Sequence, residues 1–149
     1  MMLTDANRHC CELMADSASR NELGCVKVQR LEFEQLDEIP NGHFDLIIGS
    51  DITYRLISQA ALSTMVRVLL QNLAGSESGR SPRCVFSCEN RRSPDVLPKD
   101  GEDWYVNDYA TQKFVETAAE QGLCVSPLVI EPPGEVTSNS VSIFEVKLV

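Results

Sequence analysis

The 149-residue chain is short of basic residues, of aromatic rings and of long apolar runs. Its 13 Lys+Arg stand against 22 Asp+Glu, a formal net charge of -9. Phosphate backbones and anionic lipid surfaces attract clustered cations, so neither nucleic acid nor a membrane is an expected partner. Apolar blocks such as Leu46-Ile47-Ile48 fall far below the roughly 20 residues that span a bilayer. The start, Met1 to Met14, lacks the basic-then-apolar plan of a secretory signal. A cytoplasmic address follows, with the nucleus as the other option.

No Cys-x-x-Cys pair occurs among the six cysteines, and only His9 and His43 could assist them. A tetrahedral zinc site needs paired short spacings to hold four ligands, so no metal is expected. Reduced and mostly buried thiols are the expectation instead. Cys84 and Cys88 lie four apart in a strand-like run and so share a face. What the chain does have is 43% hydrophobic residues with 23% charged, enough for a globular core and one domain.

Short β-rich runs alternate with longer helical ones. Met1 to Asp5 reads as the tail of a strand, followed by a helix over Ala6–Arg20 with Cys10, Leu13, Met14 and Ala18 on one face. Asp5 stands where an N-cap would, and Gly24 where the helix would stop. Cys25–Val28 begins a strand running towards Leu31, and Pro40-Asn41-Gly42 is a turn. Phe44 to Gly49 is apolar on both faces, as a strand buried between helices is. A helix over Ser58–Leu73 carries Leu62, Met65, Val66, Leu69, Leu70 and Leu73 at three-four spacing. Arg83–Ser87 is a strand, and Asp108–Gln121 a helix that Gly122 ends, with Phe114, Val115 and Ala118 inward. Cys124–Ile130 and Val141–Val149 are strands, the last antiparallel, forming a hairpin-like edge. The pattern is α/β and doubly wound, mostly parallel with an antiparallel C-terminal strand.

In such sheets ligands bind beyond the carboxyl ends of the strands. Asp5, Glu32-Phe33, Gly49-Ser50-Asp51 and Glu89-Asn90 occupy those positions. A carboxylate there can accept both hydroxyls of a ribose, an aromatic ring can stack on a purine, and Gly49 would let a ligand approach the backbone. Asp5 as a plain helix cap, and Tyr54 as an ordinary core residue at a helix start, stand beside these readings.

Leu3-Thr4-Asp5, Leu31-Glu32-Phe33, the stretch from Phe44 to Tyr54 and Ser142-Ile143-Phe144-Glu145 resemble the class I S-adenosylmethionine-dependent methyltransferases. Within them the resemblance is to the lysine methyltransferase-like branch, marked by Asp-x-x-Tyr, here Asp51-Ile52-Thr53-Tyr54. It implies a Rossmann-like sheet and S-adenosylmethionine as cofactor. Asp5 would hold the ribose, Phe33 would stand beside the adenine where the family usually has Trp, and Ser50 would floor the cofactor site. Asp51 and Tyr54 would line the place where a protein lysine amine meets the methyl group. The stretches 75–82 and 91–107 would flank the substrate side.

One departure accompanies the resemblance. The glycine-rich loop of class I enzymes follows the first strand, and no Gly-x-Gly occurs here. The resemblance implies that this strand and loop lie before Met1. Residues 1–149 would then be the C-terminal part of one methyltransferase domain, with unpaired apolar edges on the strands ending near Asp5 and Asp51. A non-catalytic, methyltransferase-like binding module and an inactive fragment are the alternatives. A serine hydrolase using Ser87 or Ser50 with His43 would want Gly-x-Ser-x-Gly, but Gly75-Ser76-Glu77-Ser78-Gly79 puts Glu at the serine position.

Overall fold

The computed structural model describes residues 1–39, 44–54, 58–74, 82–89, 109–128 and 141–149. The chain divides into two compact units, Met1–Pro40 and Asn41–Val149.

In the first unit, β1 (Met2–Asp5) and β2 (Lys27–Arg30) pair in parallel, with Met2 opposite Lys27 and Asp5 opposite Arg30. A parallel pair needs a crossover, and α1 (Arg8–Arg20) supplies it. Asn7 caps α1, accepting from the His9 N–H at 2.9 Å. Asp5 is therefore not the N-cap: its Oδ1 accepts the Asn7 N–H at 2.7 Å, one step earlier in the same turn. Nor does Gly24 stop the helix. Asn21 is the C-cap, Glu22 takes the left-handed conformation at φ 55, and the Leu23 N–H closes on Ala18 O at 2.9 Å. Cys10, Met14 and Ala18 are half-buried, as is Cys11, but Leu13 is 56% exposed and faces outward. No residue of α1 is fully buried.

The second unit holds a four-stranded sheet in the order β3-β4-β6-β5. Its strands are β3 (Leu46–Ser50), β4 (Arg83–Glu89), β5 (Leu123–Pro127) and β6 (Val141–Leu148). β3 and β4 are parallel, while β6 runs antiparallel to both of its neighbours. The last two strands thus form the antiparallel, hairpin-like pair at the sheet edge, with β6 between β4 and β5 and β5 outermost. Two helices, α2 (Gln59–Ala74) and α3 (Tyr109–Glu120), pack on one face. Gly122, at φ 71, ends α3 as its sequence position suggests.

The register sorts the faces. Cys84 lies opposite Val146 and Phe86 opposite Phe144, and all four are at most 1% exposed. Phe86, Phe114 and Phe144 meet with ring centroids 5.8–6.0 Å apart, which anchors α3 to the sheet. Leu62, Met65, Val66 and Leu70 bring the apolar stripe of α2 to the same core. On the other face Leu46 and Ile48 are 48% and 72% exposed. β3 is therefore covered on one face, where its sequence suggested two. Among the described residues β1 pairs only with β2 and β3 only with β4. The architecture is α/β of the Rossmann-like kind, mostly parallel with one antiparallel strand.

Only Cys84 and Cys88 of the six free thiols are buried, whereas Cys25 and Cys124 are exposed. The expectation of mostly buried thiols fails because β5 is an edge and Cys124 faces away from the helices. Burial, and then the Glu145 carboxylate, pushes the Cys84 thiol up to about 12.

Candidate functional site

Each unit presents polar groups at the carboxyl ends of its parallel strands. In the first, Asp5 ends β1 and is exposed. Its carbonyl accepts the Leu31 N–H at 3.0 Å and its carboxylate accepts the Asn7 N–H, so both halves of the residue are held. Arg30 lies opposite but turns elsewhere: its Nε donates to Ala6 O at 2.9 Å and its guanidinium pairs with Glu32. Phe33 follows in a turn closed by the Gln35 N–H on Glu32 O at 3.1 Å, and its ring is half-buried.

In the second unit, Ser50 ends β3 with its Oγ accepting from Ser87 Oγ at 3.3 Å. Asp51 has φ 51, a left-handed conformation that a non-glycine residue adopts at a cost of about 1 kcal/mol. The Asp51 N–H donates to Ser87 O at 2.7 Å, so Ser87 on β4 steadies both Ser50 and Asp51. Thr53 is 2% exposed and Tyr54 46% exposed. A core role for Tyr54 does not fit that exposure. The turn presents Asp51 and Tyr54 while burying the residue before the tyrosine.

Gly49 serves packing. A Cβ there would lie 2.5 Å from Ile52 Cδ1 and 2.6 Å from Phe86 Cδ1. The space is filled by protein side chains, so close approach of a ligand is not what requires glycine. Glu89 ends β4. His43 and Asn90, the turn at 40–42, and the stretches 75–81 and 91–107 lie outside the described residues.

Three features escaped sequence reading. Ser87 stood in the sequence only as a hydrolase serine, whereas it binds the Asp51 N–H and Ser50 Oγ. Glu145 alternates onto the solvent-side face, yet it is 6% exposed and clasped by Arg83 Nε at 2.9 Å and Lys147 Nζ at 2.8 Å. Those two cations hold its carboxyl below the usual range, Lys147 foremost. Gln59 was the third: it stands three, four and seven residues before Leu62, Ser63 and Val66. A polar residue on a buried helical stripe was the available signal.

A hollow of about 470 Å³ lies in the first unit, lined by Ala15, Ala18, Leu23, Val26 and Val28. It sits by the end of α1 and the start of β2, at the opposite end of the strands from Asp5.

A protein-family model described as lysine methyltransferase matches residues 1–100. No curated protein matches the chain. Among solved structures, the chain is similar to an O-methyltransferase family protein from Burkholderia thailandensis, with TM-score 0.63 and 12% identity over 99% of this chain and 43% of that one. A SAM-dependent methyltransferase from Aquifex aeolicus gives TM-score 0.59 and 12% identity over 99% and 68% of the two chains. An S-adenosylmethionine-dependent methyltransferase from Clostridium acetobutylicum ATCC 824 gives TM-score 0.59 and 12% identity over 99% and 74%. The chain spans 45% of a [4+2]-cyclase, SpnF, and 30% of EvdMO1, both with the same fold. Since a cyclase shares the architecture, fold alone does not fix the reaction.

Proposed function

Because the chain belongs to the lysine methyltransferase family, we propose that it serves the transfer of a methyl group from S-adenosylmethionine to a protein lysine side chain. The observation that carries this reading is the turn after β3. Asp51 is held at positive φ by its bond to Ser87, and Tyr54 is exposed at the carboxyl end of the same strand. Strained backbone persists where the surroundings fix it, and such places cluster at functional sites.

The donor set fits the adenosine half of the cofactor. The Asp5 carboxylate is exposed and only its Oδ1 is engaged, so acceptor lone pairs remain for a ribose diol. Phe33 is half-buried, which leaves ring surface for an adenine. The resemblance assigns Ser50, in the second unit, to the floor of the cofactor site. When bound, the cofactor supplies an electrophilic methyl on a sulfonium. The Asp51 carboxylate and Tyr54 hydroxyl would orient the lysine amine, which must lose its proton to water before its lone pair can attack.

Among the described residues no equivalent set stands out for the methionine half: the sequence has no Gly-x-Gly and Gly49 is occupied by packing. The free edge of β3, with exposed Ile48 beside it, suits a further parallel strand carrying such a turn. On this reading the 149 residues alone bind the cofactor weakly. Micromolar binding by the isolated chain in calorimetry would contradict it.

Methyl transfer itself is tested by incubating the chain, with a strand and glycine-rich turn supplied to the β3 edge, with labelled cofactor and lysine-containing proteins. Label recovered on lysine, falling about 10²-fold in Asp51→Asn, supports the proposal. Label on another residue type, or label indifferent to Asp51→Asn, overturns it.

A further inference from the structure

We propose that Gln59 is a positioning residue whose buried amide fixes the turn bearing Asp51 and Tyr54 and ties it to the first turn of α3. The proposal deepens the methyl-transfer reading and rests on it for its functional meaning. Its physical content stands separately.

Gln59 is 2% exposed at the start of α2. Its Nε2 donates to Thr53 O and, at 3.2 Å, to Ala110 O. An amide nitrogen carries two hydrogens, and both are used. The amide has one tenable orientation, since turning it would set its oxygen against two carbonyl oxygens. Neither carbonyl lies in the element that carries Gln59: one is in the motif turn, the other opens α3, 51 residues away in sequence.

The turn is thus held at three successive residues. The Asp51 N–H is bound to Ser87 O, Ile52 Cδ1 wedges over Gly49, and Thr53 O is bound by Gln59. The first two grip the side next to the strand. Gln59 grips the side next to Tyr54, and α3 shares that grip. Removing the donor from the buried Thr53 carbonyl costs more than the bond itself contributes, because a buried acceptor loses its partner. The left-handed Asp51 is the place where relaxation would start.

The test is amide hydrogen exchange by NMR on the whole 149-residue chain, which needs neither cofactor nor turnover. It therefore decides the clamp even if methyl transfer fails. In Gln59→Leu, similar in size but without donors, the Asp51 and Tyr54 amides are expected to exchange at least tenfold faster. In Gln59→Glu, whose carboxylate faces both carbonyls, the rise is larger. The amides of Phe86 and Val146 in the core stay within threefold. Unchanged exchange at 51–54, or an equal rise there and in the core strands, would overturn the proposal and leave Gln59 a packing residue. Should either variant fail to fold, the wild-type side-chain amide decides. Gln59 side-chain protons are expected to exchange at least a hundredfold more slowly than those of exposed Gln71, and equal rates would refute the clamp.

Discussion

In Met1–Pro40 a helix crosses a parallel strand pair without burying one side chain completely, and only Leu31 and Ile39 fall below a tenth exposed. In Asn41–Val149 two helices cover the sheet and three phenylalanines meet at 0–1% exposure. The same α/β grammar is thus held by different forces. The first unit places Asp5 through caps and backbone bonds around Asn7 and Leu31. The second places Asp51 and Tyr54 through a core: Phe86 fills the space at Gly49, and Gln59 reaches through buried surroundings to Thr53. Precision at a site follows from what stands behind it, and here Asp51 and Tyr54 have the stiffer backing.

The comparison breaks most visibly in the cores. Phe86→Ala should cost about 3–5 kcal/mol by denaturant unfolding, whereas Met14→Ala in α1 should cost about 1 kcal/mol or less. Equal losses would mean that the first unit has a core of its own. Glycines sharpen the contrast at a smaller scale. Gly49→Ala forces a Cβ into Ile52 and Phe86 and should cost about 1–3 kcal/mol. Gly24→Ala meets nothing within 4 Å and should stay within about 0.5 kcal/mol. A neutral Gly49→Ala would refute the tight packing behind the turn.

Glu145 gives the effect with a pH signature. Lys147 and Arg83 hold its carboxyl below the ordinary 4.5. An acid with a lowered folded-state pKa binds its proton first in the unfolded chain. Its contribution is complete above 4.5 and is lost as pH falls through the lowered value. Glu145→Gln should remove about 1–2 kcal/mol at neutral pH and flatten the acid limb of the stability curve. An acid limb identical to wild type would show that the ion cluster does not matter.

The alternation of strand and helix was legible because each element keeps its apolar period: Leu62, Met65, Val66 and Leu70 on α2, Phe144 and Val146 on β6. The end of β3 was legible because Asp51-Ile52-Thr53-Tyr54 follows a strong strand. Neighbour order was not, since alternation tells which face a side chain takes and nothing of which strand lies beside it; which of β5 and β6 is outermost was therefore open. Asp5 and Asn7 are both good caps two residues apart, and the sequence does not choose between them. Gly49 read as room for a ligand because its long-range neighbours Phe86 and Ile52 were unseen. Gln59 and Glu145 were missed because a buried polar group becomes sensible only when its partners are known.

The assignment of the cofactor residues is tested most directly by titrating S-adenosylmethionine into the isotope-labelled chain and following backbone amides by NMR. Weak, fast-exchange shifts at Asp5, Phe33, Ser50 and Asp51, with Glu12 and Lys147 unmoved, are the predicted result. Shifts confined to the hollow between Ala15 and Val28, or no shifts at millimolar cofactor, would contradict it.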